Sequence, residues 1–133
     1  MIYCSEIKVR GYHLDFYGHV NNARYLEFLE EARWALFEDR VNLSRWQEQG
    51  ISFVIVNINI NFRKSAGLGN TLEILSGVSR MSGKSGTIHQ EIMLKGCDTV
   101  VADADVIFVL TDVLSGKALP LEGEFRTLFE QLN

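Results

Sequence analysis

The chain has 133 residues, a net charge of −4 and a pI near 5.3, with 47% hydrophobic and 23% charged residues. That length argues for one domain over residues 1–133, large enough to bury about two-thirds of its unfolded surface around a single core. The acidic balance argues against nucleic acid, which needs clustered Lys and Arg, and no run approaches the ~20 apolar residues of a membrane span.

Residues 2–10 read as a first strand, and its charges at Glu6, Lys8 and Arg10 leave no apolar run for a signal peptide. Cys4 and Cys97 stand far apart and outside any CxxC pattern, as in a reduced compartment without a zinc site. The cytoplasm is the expected location. Gly11 to Val20 has neither a helical nor a strand period and reads as a loop carrying Tyr12, His13, Asp15, Tyr17 and His19.

Asn21-Asn22 then opens a helix to about Arg40, because Asn can cap a free first-turn N–H. Tyr25, Phe28, Leu29, Ala32, Ala35 and Leu36 form its apolar face, and Glu27, Glu30, Glu31 and Glu38 its polar face. Trp34 falls on the polar side, either simply exposed or in contact with another element or subunit. A short helix is expected over residues 43–49, ended by Gly50.

The remainder is mostly strand. In Ile51 to Arg63, Val54, Val56, Ile58, Ile60 and Phe62 are expected on one side and Asn57, Asn59, Asn61 and Arg63 on the other. Residues 71–81, 87–95 and 100–110 are further strands, joined by turns at Ser82–Gly86 and Lys95–Asp98. A short strand after Gly116 and a helix over residues 122–132 complete the chain. A long helix beside consecutive hairpin strands makes an α+β fold, one antiparallel sheet covering the apolar face of one helix.

The chemistry-bearing segment is Val9 to Tyr25. Asp15 precedes a helix N-terminus, whose free N–H groups near Asn22 and Ala23 form a partial positive site. Such donors can hold the oxygen of a carbonyl under attack. An aspartate beside them can attack the carbon or take a proton from water. That apparatus suffices for acyl transfer, and it suits a thioester, whose thiolate leaves without strong acid help. The alternative for Asp15 is a turn aspartate satisfied by local amides. His13, Asp15 and His19 invite a metal, but His89, the only other histidine, lies on a distant strand, so no metal site is expected. Arg63-Lys64 could meet the phosphates of a nucleotide carrier, or be solvated. The Ser82–Gly86 turn lacks the spacing and following helix of a phosphate loop.

The runs Asp15-Phe16-Tyr17-Gly18-His19-Val20-Asn21-Asn22 and Tyr25 to Arg33 resemble the 4-hydroxybenzoyl-CoA-thioesterase-type hotdog family. The likeness covers nearly the whole chain and is strongest to the family's bacterial long-chain acyl-CoA thioesterases. It implies a curved antiparallel sheet wrapped around a central helix, homodimers or homotetramers with active sites between subunits, and no bound cofactor. It places the catalytic carboxylate on Asp15, the carbonyl-polarising amide at about Asn22, the loop histidine on His19 and a helix aromatic on Tyr25. Ser65 and Asn70 stand where members often have proline and aspartate. The implied activity is hydrolysis of acyl-CoA; a non-hydrolytic acyl-CoA-binding module and a hydroxyacyl-thioester dehydratase are the alternatives, although the dehydratase His-Phe-Pro signature is absent. An acyl tunnel between helix and sheet would be lined by Phe28, Leu29, Ile58 and Phe108.

Overall fold

A computed structural model describes residues 2–132 of the chain. Its elements run β1 (Tyr3–Lys8), α1 (Asn22–Arg40), α2 (Leu43–Glu48), β2 (Ile51–Phe62), β3 (Thr71–Met81), β4 (Gly86–Leu94), β5 (Val100–Asp112) and α3 (Glu124–Glu130). The strands form one sheet in the order β1-β3-β4-β5-β2, antiparallel throughout. The crossover from β1 to β3 carries α1 across the sheet face. This is the expected α+β hotdog architecture: a five-stranded sheet wrapped on one long helix.

Period-two alternation gives the sheet its inner face. Leu72, Ile74, Ile88, Ile92, Ala102, Ala104, Val106, Phe108 and Leu110 are fully buried or nearly so. Against them α1 lays Tyr25, Phe28, Leu29, Ala32, Leu36 and Phe37. Ala35, expected inward, is half-buried, whereas Arg33 is buried at 7% exposure. Helical phase puts residue 33 one turn beyond Leu29, so position overrides residue type. Arg33 Nη1 donates to the Gln90 side-chain oxygen (3.1 Å), and Gln90 Nε2 donates to Leu29 O and Ser76 Oγ. Burial holds the guanidinium below its ordinary pKa, partly offset by Glu30. Trp34 is half-exposed and donates to Glu30 (3.3 Å). At the far end, Trp46 of α2 packs edge-on against Phe125 and Phe129, and Phe129 tilts onto Phe108.

The expected alternation of β2 fails in its first half. The ladder with β5 shifts between Ile55 and Asn57, leaving Val56 as an extra residue. A bulge reverses the face of every side chain beyond it. Phe53 and Ile55 therefore face the core before the bulge, opposite Leu110 and Phe108. Ile58, Ile60 and Phe62 face it afterwards, opposite Val106, Ala104 and Ala102. Val54 and Val56 are exposed instead of lining that face. The strand expected after Gly116 is a single bridge, Thr111 to Ala118. Among the described residues no helix is long and apolar enough to cross a membrane.

Candidate active site

The loop between β1 and α1 is tied down at both ends. Gly11–His13 forms a short 3-10 turn, and His13 Nδ1 accepts from the Arg10 amide (2.8 Å). Its ring meets Tyr12 and Phe28 edge-on, and burial lowers its pKa, keeping it neutral. The Asn21 amide donates to His13 O (2.9 Å), so this buried histidine fastens the loop's start to the helix's start. His13 is thus a structural ring.

Between these anchors the chain folds back on itself. Leu14 bridges Val20, and the Asp15 amide donates to His19 O (2.9 Å). Gly18 closes the turn by donating to Asp15 O, with φ at +77°, a conformation that disfavours a side chain. Asp15 Oδ1 accepts from the Tyr17 amide (2.9 Å), an Asx-type turn. The turn reading of Asp15 is realised: one oxygen fixes the turn, and the other has no partner among the described residues. His19 bridges Gly67, and the Val20 amide donates to Ala66 O (2.9 Å), docking the turn on the loop after β2. Asn70 Oδ1 closes that loop by accepting from Gly67 N (2.8 Å), an acceptor role open equally to the aspartate common in the family. The ring of His19 is exposed and makes no hydrogen bond among the described residues.

The helix start differs from expectation in one respect. Asn21 caps it, its Oδ1 accepting from the Ala23 amide (2.9 Å), while the Arg24 amide donates to Asn21 O (2.8 Å). Ala23 is therefore occupied, and the Asn22 N–H is a first-turn donor without an acceptor among the described residues.

Asp15, His19, Asn22, Tyr25, Arg63 and Lys64 all line one cleft of ≈ 340 Å³. Sequence reasoning left out Phe62, Ser65, Tyr17 and Val20, which complete it. A larger depression of ≈ 550 Å³ at the α1–α2 junction, lined by Glu38 to Ser44, holds none of these groups. Tyr25 and Phe62 pack with ring centroids 5.7 Å apart and form an apolar wall. Phe28, Leu29 and Phe108, expected to line an acyl tunnel, are packed into the core, and Ile58 is part-exposed on the edge strand.

The Tyr25 hydroxyl is buried and has no hydrogen bond, although the residue is only 2% exposed. Burial pushes its pKa up, the Ala66 backbone amide pulls it back, and the charge of Asp15 pushes it up again. An orphaned buried hydroxyl costs about 1–3 kcal/mol. The two cations are not alike. Arg63 Nε and Nη2 grip both oxygens of Asp103, whose carboxyl is held below its ordinary range by that contact. Lys64 has no ion-pair partner among the described residues. Asp103 was missed because its role comes from cross-strand register, Asn61 standing opposite it. Beyond it on the outer sheet face, His89 lies between Asp105 (2.8 Å) and Glu91 (3.1 Å).

The chain is 52% identical to the long-chain acyl-CoA thioesterase FadM of Escherichia coli K12, over 96% of this chain and 97% of that protein. It superposes on the crystal structure of E. coli YbaW with a TM-score of 0.91, at 52% identity and 97% coverage of each chain. At 20% identity it shares its fold with a 1,4-dihydroxy-2-naphthoyl-CoA thioesterase from Synechocystis, TM-score 0.88, covering 99% of this chain and 98% of that one. The family model of the thioesterase-like superfamily matches residues 9–129, almost the whole described chain, and the protein belongs to that superfamily.

Proposed function

We propose that this protein is a cytoplasmic acyl-CoA thioesterase, one catalytic domain over residues 1–133, hydrolysing long-chain fatty acyl-CoA to fatty acid and CoA. The observation that carries the reading is a juxtaposition. A carboxylate with one unpartnered oxygen and a first-turn amide without an acceptor share a cleft with an aromatic wall. The thioester oxygen would accept from Asn22 N–H, whose dipole favours the charge that develops there. Asp15 would attack the carbonyl carbon or deprotonate a water that does so. The C–O bond forms, the C–S bond breaks, and CoA leaves as a thiolate; where Asp15 is the nucleophile, water then cleaves the acyl–Asp15 anhydride, and on either route the fatty acid leaves, Asp15 is regenerated, and the proton given up by water goes to the thiolate. His19, whose ring lines the cleft without a hydrogen bond among the described residues, is assigned transfer of the proton lost by water to the departing thiolate. Tyr25 borders the acyl group, and Lys64 with Arg63 faces the CoA phosphates. Identity to FadM supports the long chain. The free edge of β2 and its exposed Val54, Val56, Ile58 and Phe62 support assembly as a homodimer or homotetramer.

The test is thiol release from acyl-CoA esters of increasing chain length, measured with Ellman's reagent. Asp15→Asn should keep the wild-type melting temperature and lose about 10²-fold or more in turnover. Wild-type turnover in that variant would reject the assignment. Tight acyl-CoA binding with no thiol release would leave a binding module on this fold.

A further inference from the structure

The Tyr25 hydroxyl is the one polar atom at the site whose situation the proposed chemistry leaves unexplained. Tyr25 lines the cleft, yet its oxygen is buried and unpaired. Ring packing alone does not call for it, since Phe28 and Phe62 would meet a phenylalanine edge equally well. A buried donor without a partner in a native chain calls for a partner that arrives later. Across the cleft Asp15 has the complementary deficit: Oδ1 is held by the Tyr17 amide, and Oδ2 has no partner among the described residues. Both residues line the same cleft.

We infer that Tyr25 is a positioning residue for Asp15, its hydroxyl donating to the carboxylate's free oxygen once an acyl thioester fills the cleft. In the free protein Asp15 is exposed to solvent. A thioester entering beside it expels water, and the desolvated carboxylate then needs a donor. The Tyr25 hydroxyl has a proton to give and no acceptor for it among the described residues. A hydrogen bond to the charged form keeps Asp15 ionised and fixes its aim. This assignment rests on the proposed role of Asp15 and differs from contact with substrate, since Tyr25 acts through the carboxylate. The other charged groups facing the pair across the cleft are His19, Arg63 and Lys64, of which Arg63 is bound to Asp103.

The experiment compares Tyr25→Phe with the wild type in melting temperature and in pH profiles of kcat and kcat/KM for an acyl-CoA. The variant keeps the ring and removes only the unpaired oxygen, so its melting temperature should stay level or rise. Its kcat should fall about tenfold to a hundredfold. The acid limb of kcat, which reports the substrate complex, should move to higher pH by up to about one unit. The acid limb of kcat/KM, which reports the free protein, should stay in place. A kcat within about twofold of wild type with an unmoved acid limb overturns the inference. So does a loss of kcat accompanied by a lower melting temperature and no shift in either limb, which marks a structural role. Asp15→Asn is measured in parallel. If it is inactive while Tyr25→Phe behaves as wild type, only this inference fails; if it is active, the reading of the site fails and the inference falls with it.

Discussion

Asp103 on β5 grips the guanidinium of Arg63 with both carboxylate oxygens, at the strand end where Arg63 lines the cleft. Two adjacent cations in the sequence are thereby made unequal. Asp103 neutralises one and fixes its direction, while Lys64 keeps its full charge for an incoming anion.

It follows that Lys64→Ala should raise KM for acyl-CoA about fivefold at low salt, the scale of one exposed ion pair, with kcat unchanged. The effect should shrink as salt is added, because exposed charges are screened. Arg63→Ala should raise KM less. Steady-state kinetics at two ionic strengths measure both, and equal KM values in wild type and Lys64→Ala would remove this lysine from the binding site.

Gly86 faces Phe108 across the β4–β5 ladder, and a Cβ at residue 86 would lie 2.3 Å from the Phe108 ring. That ring also stacks on Phe53 and tilts onto Phe129, so it cannot move without disturbing both neighbours. Gly86→Ala should therefore destabilise the fold by about 1–3 kcal/mol through overpacking. Adding Phe108→Leu should recover part of the loss, a coupling expected only of residues in contact. Thermal unfolding of the single and double variants checks this; an unchanged melting temperature in Gly86→Ala would show that the ring can yield.

On the outer sheet face, burial disfavours a charged His89, but the hydrogen bonds its ring donates to Asp105 and Glu91 and their negative charges outweigh it and raise its pKa above the ordinary value. A raised pKa means the folded state binds the proton more tightly than the unfolded state does. The contribution is complete below the ordinary histidine pKa and disappears as pH rises through the folded value. The side chain is 42% exposed, so solvent holds the gain to about 1 kcal/mol or less. His89→Gln should accordingly melt below wild type at about pH 5.5 and level with it at about pH 9. A difference that grows toward alkaline pH would reverse the sign and refute the account.

Much of the fold was legible in residue order because it depends on local periods. The 3.6-residue spacing of Tyr25, Phe28, Leu29, Ala32 and Leu36 gives the buried face of α1. Alternation in β5 gives the inward set Ala102, Ala104, Val106 and Phe108. Asn21 announces the helix start through its own hydrogen-bonding chemistry. The candidate site was legible for the same reason. Asp15, His19, Asn22 and Tyr25 lie within eleven consecutive residues, close enough for a turn and a first helical turn to gather them.

What depends on the meeting of distant segments was decided only in three dimensions. The bulge at Val56 follows from fitting β2 to β5, and no residue in the strand names it. Arg33 is buried because Gln90, more than fifty positions away, supplies an acceptor. Asp103 meets Arg63 through strand register, and the loop at Ala66 and Gly67 brings Arg63 and Lys64 beside Asp15. Short-range periodicity and capping are written in neighbouring residues, whereas charge pairing, burial of a polar group and the walls of a cleft are set by which strands lie side by side.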